Sequence, residues 1–374
     1  MLTAIVLTID LYAKELFPSD WKTTLGLAQT IHSAVFTGLL TMMTFTFSTI
    51  LVVLTTYSSQ FSPRTLPNFI ENRQVQHIFG VFIGTVTYSI TMLFFMRPSL
   101  KDSVVASAVA VIVVLIAFVA FVHIVSQSIR VTTLLDRLHE EGCMLIEEHT
   151  NAIEAGRYQL VSDNGTNHPF GVTATQTGYL QAVDYYLLIK SDRHVVIDVA
   201  IGSYVTQGQR IGNTTQQDVE QGIIIGPTRS AEQDFPFVIQ KLTEVALRAI
   251  SPGINDPNTA RHAMRQIGDL LRRYTVLKDG HLLVSGTGTV VMSRLTFAEL
   301  LYLTFYQLRH YGKEDISVLA TMLESLEIMK RSALPEHRIS IDQFIPFVCS
   351  EVDWSSLNEW DRRHLEQAEQ KARL

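Results

Sequence analysis

Long apolar runs dominate the first third of the chain, and amphipathic or alternating patterns take over after it. Three stretches carry no Asp, Glu, Lys or Arg, at about 25–57, 77–96 and 104–129. Each is long enough to cross about 30 Å of hydrocarbon as a helix. The first is overlong, so it must tilt or project beyond the bilayer. A shorter apolar run at the start stops at Asp10 and would cover only about 13 Å as a helix. It reads as an interfacial or re-entrant helix, or as the remainder of a fourth span. It lacks the basic n-region and cleavage site of a signal peptide.

Beyond Ile129 the helical pattern continues with a single apolar stripe, Val131, Leu134, Leu135, Leu138, Leu145 and Ile146. Between Gly178 and Gly212 the texture changes to short β-branched runs such as "VVIDVAI" separated by glycine turns, which predicts strands. "FPFVIQKLTEVALRAI" then returns to helix, with Val238, Leu242, Val245 and Ala249 on one face. Asp234 suits its N-cap and Pro236 its first turn. Two helices are predicted between Leu295 and Met329, meeting near Gly312. Pro335 and Pro346 predict a looser tail. A last amphipathic helix, about 354–372, puts Leu357, Trp360 and His364 on one side, to dock on a neighbouring subunit or on its own domain.

These patterns predict an α-helical integral membrane protein with a mixed α+β cytoplasmic domain, a small β-sandwich-like unit plus helices. The divisions fall at 1–130 (transmembrane), 131–170 (juxtamembrane helix and linker), 171–230 (β unit), 231–334 (helical domain) and 335–374 (C-terminal extension). Composition agrees: 47% of residues are apolar and only 18% charged, and most of the charge lies beyond Gln127, as a membrane part followed by a polar part requires. A net charge of −6 argues against a nucleic-acid binder, which needs a basic face to neutralise phosphates. The two cysteines, Cys143 and Cys349, form no metal pair or disulfide framework and suit a reducing cytoplasm. Arg64 and Arg73 after the first stretch, with Arg130 and Arg137 after the third, place those ends inside by the positive-inside rule. Arg97 and Lys101 in the turn between the second and third stretches pull the other way.

Candidate chemistry is sparse. Thr37, Thr41, Thr44 and Ser48, continued by Thr55, share one face of the first span. Such hydroxyls either line a water-filled path or let helices pack closely. His32, His77 and His123 are the titratable groups in or near the spans. His139, Cys143 and Glu147 recur every fourth residue, so they either hold zinc or form a solvated acidic face. The most distinctive stretch is "RAISPGINDPNTARH", from Arg248 to His262. Pro252 cannot donate, Gly253 can take a positive φ, and Asp256 with Pro257 suits the start of a helix over about 258–273. A tight corner between two helices follows. Arg229, Arg248, Ser251, Asn255, Asp256 and Arg261 are then candidates for binding a small anion at a helix start, against the alternative of a purely structural corner.

The pattern G-x-x-V-x-x-G-Q-x-I within "GSYVTQGQRI" resembles the flattened β-sandwich of biotinyl and lipoyl domains and of membrane-fusion adaptors. Carrier domains of that kind attach their cofactor to a lysine at the hairpin tip, and this turn has none, so no cofactor is expected. "RAISPGINDPNTA", "GPTRSAEQDFPF", "SSQFSPRTLPNFI", "FYQLRHYGKEDISVL" and "GYLQAVD" together resemble the bacterial membrane family catalogued as domain of unknown function 2254. Its members usually open with a further complete transmembrane helix, where this chain has the short run to Asp10. The resemblance implies a multi-pass protein of the bacterial inner membrane and carries no catalytic residue or substrate. With no hydrolase, kinase or dinucleotide signature, and with "SGTGTV" lacking the strand-to-helix context of a phosphate loop, the expectation is a non-enzyme. It is a homo-oligomeric channel or transport-like protein passing ions or small anions, or a membrane-anchored sensor or scaffold.

Overall fold

A computed structural model describes residues 25–56, 73–95, 104–128, 130–162, 168–190, 192–216 and 219–374. The apolar run to Asp10, the loop with Arg64 and the turn with Arg97 and Lys101 lie outside the described residues. The chain divides into two compact units, Met1–Thr133 and Leu134–Leu374.

The first unit holds α1 (Leu25–Thr56), α2 (Arg73–Phe95) and α3 (Val104–Ser128), at the three apolar stretches. Along α1, His32, Leu39, Thr46 and Val53 are buried. They recur every seventh residue, close to two helical turns, and so form one inward seam. Ring contacts knit the three helices: Phe47 to Phe79, Phe79 to Phe121 and Phe45 to Phe118. Among the described residues, one helix by itself, α1 over Gln29–Thr56, is long and apolar enough to cross a membrane. In α2 the apolar residues are diluted by Thr85, Thr87, Tyr88, Ser89 and Thr91. Of the expected multi-pass arrangement, length and composition thus support one crossing helix.

α4 (Val131–Glu154) leads into the second unit. It buries Leu134, Leu135, Leu138, Gly142 and Ile146, the core of the predicted stripe. Among the described residues nine strands follow in two sheets: β1 (Tyr158–Val161), β2 (Phe170–Thr173), β3 (Gly178–Val183), β4 (His194–Ile197), β5 (Tyr204–Val205), β6 (Arg210–Thr214), β7 (Ile223–Gly226), β8 (His281–Ser285) and β9 (Thr289–Met292). One sheet runs β1-β8-β9-β4-β6-β2, the other β5-β3-β7. Pairing is antiparallel except between β4 and β9. Val195, Ile197, Val290 and Met292 of the larger sheet share one core with Leu180, Val205 and Ile225 of the smaller, as in a sandwich. The turn glycines Gly202 and Gly208 both take positive φ, 83° and 79°, which explains their place in the G-x-x-V-x-x-G-Q-x-I pattern.

The sandwich reaches beyond 171–230. β1 comes from the expected linker, and β8 and β9 come from within 231–334. "SGTGTV" is the hairpin turn between β8 and β9, not a phosphate loop. A short helix, α5 (Tyr185–Ile189), follows β3, capped by Asp184.

The helical part comprises α6 (Phe235–Ala249), α7 (Pro257–Tyr274), α8 (Phe297–Gly312), α9 (Ile316–Lys330), α10 (Pro335–Cys349) and α11 (Glu359–Arg373). α6 buries Phe237, Val238, Leu242 and Val245, each contributing roughly 1.5–3 kcal/mol on burial. α10 replaces the expected looser tail: Pro335 occupies a first-turn position, where its missing N–H costs nothing, and Pro346 falls in the last turn. In α11 the buried face is Leu365 and Ala372, while Trp360 is exposed. That helix docks on its own unit: the Lys330 ammonium donates to the carbonyls of Ala372 and Arg373.

Candidate functional site

A cleft opens in the second unit where α4, the sandwich and the helical part meet. Leu145 and His149 reach it from α4, Tyr185 from α5, Ala200 and Ile201 from the segment after β4, and Phe235 from the start of α6. Tyr274, at the end of α7, and Arg294, just past β9, complete the wall. Aromatic rings fix its shape. Phe235 and Tyr274 stack with centroids 5.1 Å apart and planes 3° from parallel. Tyr158, behind the wall, meets His149 and Tyr185 edge-on.

The electrostatics of this wall are uneven. The Arg294 guanidinium donates one hydrogen bond, Nη2 to the Tyr274 hydroxyl at 2.8 Å, and lies over the same ring. Among the described residues no carboxylate lies within ion-pairing distance of it. Asp234, also on the wall, is fully occupied. It takes Arg229 Nε at 2.8 Å and Nη2 at 2.9 Å, and accepts the Phe237 backbone N–H as the N-cap of α6. Burial, aided by the charge of Arg294, lowers the His149 pKa to about 4, so its imidazole is neutral at pH 7. Burial likewise pushes the Tyr185 and Tyr274 hydroxyls up. The site thus offers one cation, neutral hydrogen-bonding rings and an apolar floor.

The corner at Arg248–His262 has different chemistry. Ser251 Oγ donates to the Arg248 carbonyl at 2.6 Å, and the Asp256 N–H to that of Ala249 at 2.8 Å. Asp256 caps α7, accepting from the Thr259 N–H at 3.1 Å and hydroxyl at 2.6 Å. Asn255, with φ 51°, is the left-handed residue of the turn. Gly253, which the sequence suggested for that role, has no positive φ. The other candidate residues stand apart. Arg229 braces the start of α6, donating also to Gln240 at 2.7 Å, and Arg261 donates to Thr321 of α9 at 3.2 Å.

Residues 1–328 match the family model described as "Predicted membrane protein (DUF2254)". The chain belongs to this family. Its curated relatives include uncharacterized proteins of Mycobacterium bovis and Mycobacterium tuberculosis, each 25% identical over 366 residues, covering 90% of this chain and 70% of the relative. No solved structure matches the chain. The family description makes it a membrane protein and assigns no activity.

The family member's remaining candidates resolve into local structure. Thr37, Thr41, Thr44, Ser48 and Thr55 are exposed on α1, away from its buried seam. Each hydroxyl donates to the carbonyl four residues back, at 2.8–3.0 Å. That is how a hydroxyl is satisfied where no water is present. His139 and Cys143 are joined by Asp269 of α7 rather than by Glu147, with ligand atoms within 4.8 Å of one another. The Asp269 carboxylate already accepts from His139, Arg272 and Arg273, at 3.0, 2.7 and 2.9 Å. Burial raises its pKa, and those hydrogen bonds more than offset that, bringing it to about 2. Burial pushes the Cys143 thiol up. Its sulfur lies 3.8 and 3.9 Å from the two His139 nitrogens, on the lone-pair axis of neither. The cluster therefore reads as a clamp of α4 on α7, beside the close contact of Gly142 with Leu270, and not as a nucleophile and its base.

Nothing in the sequence analysis pointed to the cleft. Its residues come from segments separated by up to about 150 positions, and no periodicity connects them. The usable signal was the hairpin "HLLVSGTGTVVM" followed by Ser293 and Arg294, a charged residue two positions past a buried strand.

Proposed function

We propose that this protein is a membrane-anchored receptor whose C-terminal unit binds a small molecule in the cleft. The apolar helices hold it in the bacterial inner membrane as a multi-pass protein with that unit on the cytoplasmic side. The observation that carries the reading is the cleft itself, concave, largely apolar and furnished with a few convergent polar groups. One of its walls is α4, which follows α3 in the chain after two residues. Leu145 and His149 of that helix line the cleft. No catalytic role is assigned. The test uses the full chain in nanodiscs, with benzamide and hexanamide as neutral probes and Ala200→Trp to fill the cleft. Probe binding that Ala200→Trp abolishes supports the reading. Binding by neither probe, or binding untouched by Ala200→Trp, sinks it.

The outward hydroxyl face of α1 favours a second reading, a homo-oligomeric channel for ions or small anions in which Thr37, Thr41, Thr44 and Ser48 of several copies surround a path. Liposome flux decides it: ion leakage no faster than from empty liposomes, or a monomer in detergent, removes it.

A further inference from the structure

The wall of the cleft carries one guanidinium whose charge no carboxylate among the described residues balances. An arginine has five N–H donors, and only Nη2 of Arg294 has a hydrogen-bond partner among the described residues, the Tyr274 hydroxyl. The other charged groups nearby are already matched or neutral. Arg229 compensates Asp234, whose side chain is wholly buried. His149 stays uncharged, first because burial disfavours its cation and second because Arg294 lies nearby. Gln233 and Ser293, which also line the cleft, are engaged with the Val183 backbone and with His281; Tyr185, Phe235, Ile201 and Leu145 present aromatic or aliphatic surface.

We propose that the cleft binds a small monocarboxylate with an apolar body, the carboxylate set against Arg294 and the body lying along Tyr185, Phe235 and Tyr274. This deepens the receptor reading and rests on it. A guanidinium presents parallel N–H groups that match the two oxygens of a carboxylate. One positive charge balances one negative charge, so a monoanion leaves no net buried charge, whereas a phosphate dianion would leave one uncompensated. The apolar wall rewards a hydrocarbon body, as the hydrophobic effect requires, and offers a hydroxyl-rich ligand few partners. Short fatty acids and aryl carboxylates meet all three conditions.

Isothermal titration of the full chain in nanodiscs tests this, with benzoate and hexanoate against benzamide, hexanamide and inorganic phosphate. The carboxylates should bind wild type at least about tenfold tighter than the amides, as a charge-assisted hydrogen-bond pair implies. Arg294→Gln should remove that preference, bringing the carboxylates down to the affinity of the amides, and Arg294→Lys should retain most of it. A thermal unfolding transition like that of wild type shows that Arg294→Gln is folded. Amides binding as tightly as carboxylates, phosphate matching benzoate, or carboxylate affinity indifferent to Arg294→Gln would overturn the ligand class and leave the cleft reading standing. Ala200→Trp separates the other failure, because probe binding that survives it lies outside the cleft and ends both.

Discussion

The corner between α6 and α7 and the cleft beside them are both rich in polar groups, and they use those groups in opposite ways. In the corner, Ser251, Asp256 and Thr259 satisfy one another and the adjoining backbone within a few residues. In the cleft, Arg294 and His149 face a space lined by rings, and the only hydrogen bond of Arg294 among the described residues is to a phenol. A segment that closes on itself is built to hold a shape. A wall that leaves a charge unmatched is built to meet something. On the receptor proposal the conspicuous motif is the scaffold, and the binding site lies among residues that look ordinary one by one.

The junction between sandwich and helices, on which the cleft depends, gives the strongest way to break that contrast. Gly202 has φ 83°, and a Cβ there would lie 2.1 Å from Asp234 Oδ2 and 2.4 Å from Arg229 Nη2. Asp234 cannot yield, because it is held by both Arg229 and the α6 cap. Gly202→Ala should therefore break a buried ion pair, costing about 3 kcal/mol or more, and lower the Tm by roughly 6–12 °C. Probe binding in the cleft should go with it. Thermal unfolding of the full chain in detergent checks this, and an unchanged Tm would mean that the pair does not lock the junction.

The legibility of the two regions follows from distance along the chain. Capping is a three-residue interaction, so Asp234 and Asp256 could be assigned from sequence with their prolines. Strands announced themselves where β-branched runs met glycine turns, as at Val195–Ile197. The turn's left-handed residue was misassigned to Gly253 because asparagine, the actual occupant at 255, tolerates that region almost as well. The cleft was invisible because Leu145, Tyr185, Tyr274 and Arg294 belong to different elements. Asp269 joining His139 and Cys143 was hidden for the same reason, since the sequence could supply only Glu147 of the same helix.

A pH titration sharpens the contrast next. An imidazole in the unfolded chain takes its proton near pH 6.5, and folded His149 only near pH 4. Between those values the unfolded state holds the extra proton, so this residue makes stability fall as the pH drops from about 6.5, levelling off below about 4. The loss attributable to it is at most about 3 kcal/mol, less where water enters the cleft. The difference between wild type and His149→Gln, followed by thermal unfolding from pH 7.5 to 4, isolates it from the carboxylates. A difference that stays flat over that range would mean that His149 is not held neutral beside Arg294.

Asn255→Ala tests the corner as structure. Alanine pays about 1 kcal/mol to enter the left-handed region, and Asn255→Gly pays little of it. Both variants should bind benzoate as wild type does. If Asn255→Ala abolished binding at unchanged stability while Arg294→Gln did not, the roles of the two regions would be exchanged and the corner would be the site.

The smallest effect is expected at Gly253, and it is informative because it is small. The residue lies beside Pro252 in the most distinctive stretch of the chain, yet it has no positive φ and a Cβ built on it meets nothing within 4 Å. The turn is already fixed by two prolines, by the Asn255 and Asp256 N–H bonds to Ser251 and Ala249, and by the Asp256 cap. Gly253→Ala should therefore stay within about 0.5 kcal/mol of wild type, or gain slightly by restricting the unfolded chain. Benzoate affinity should not change. A loss of more than about 1 kcal/mol would require a backbone state at Gly253 that alanine cannot adopt. A loss of affinity at unchanged stability would instead require something seated against the open face of the turn, which is the one result at this position that would give the corner a ligand of its own.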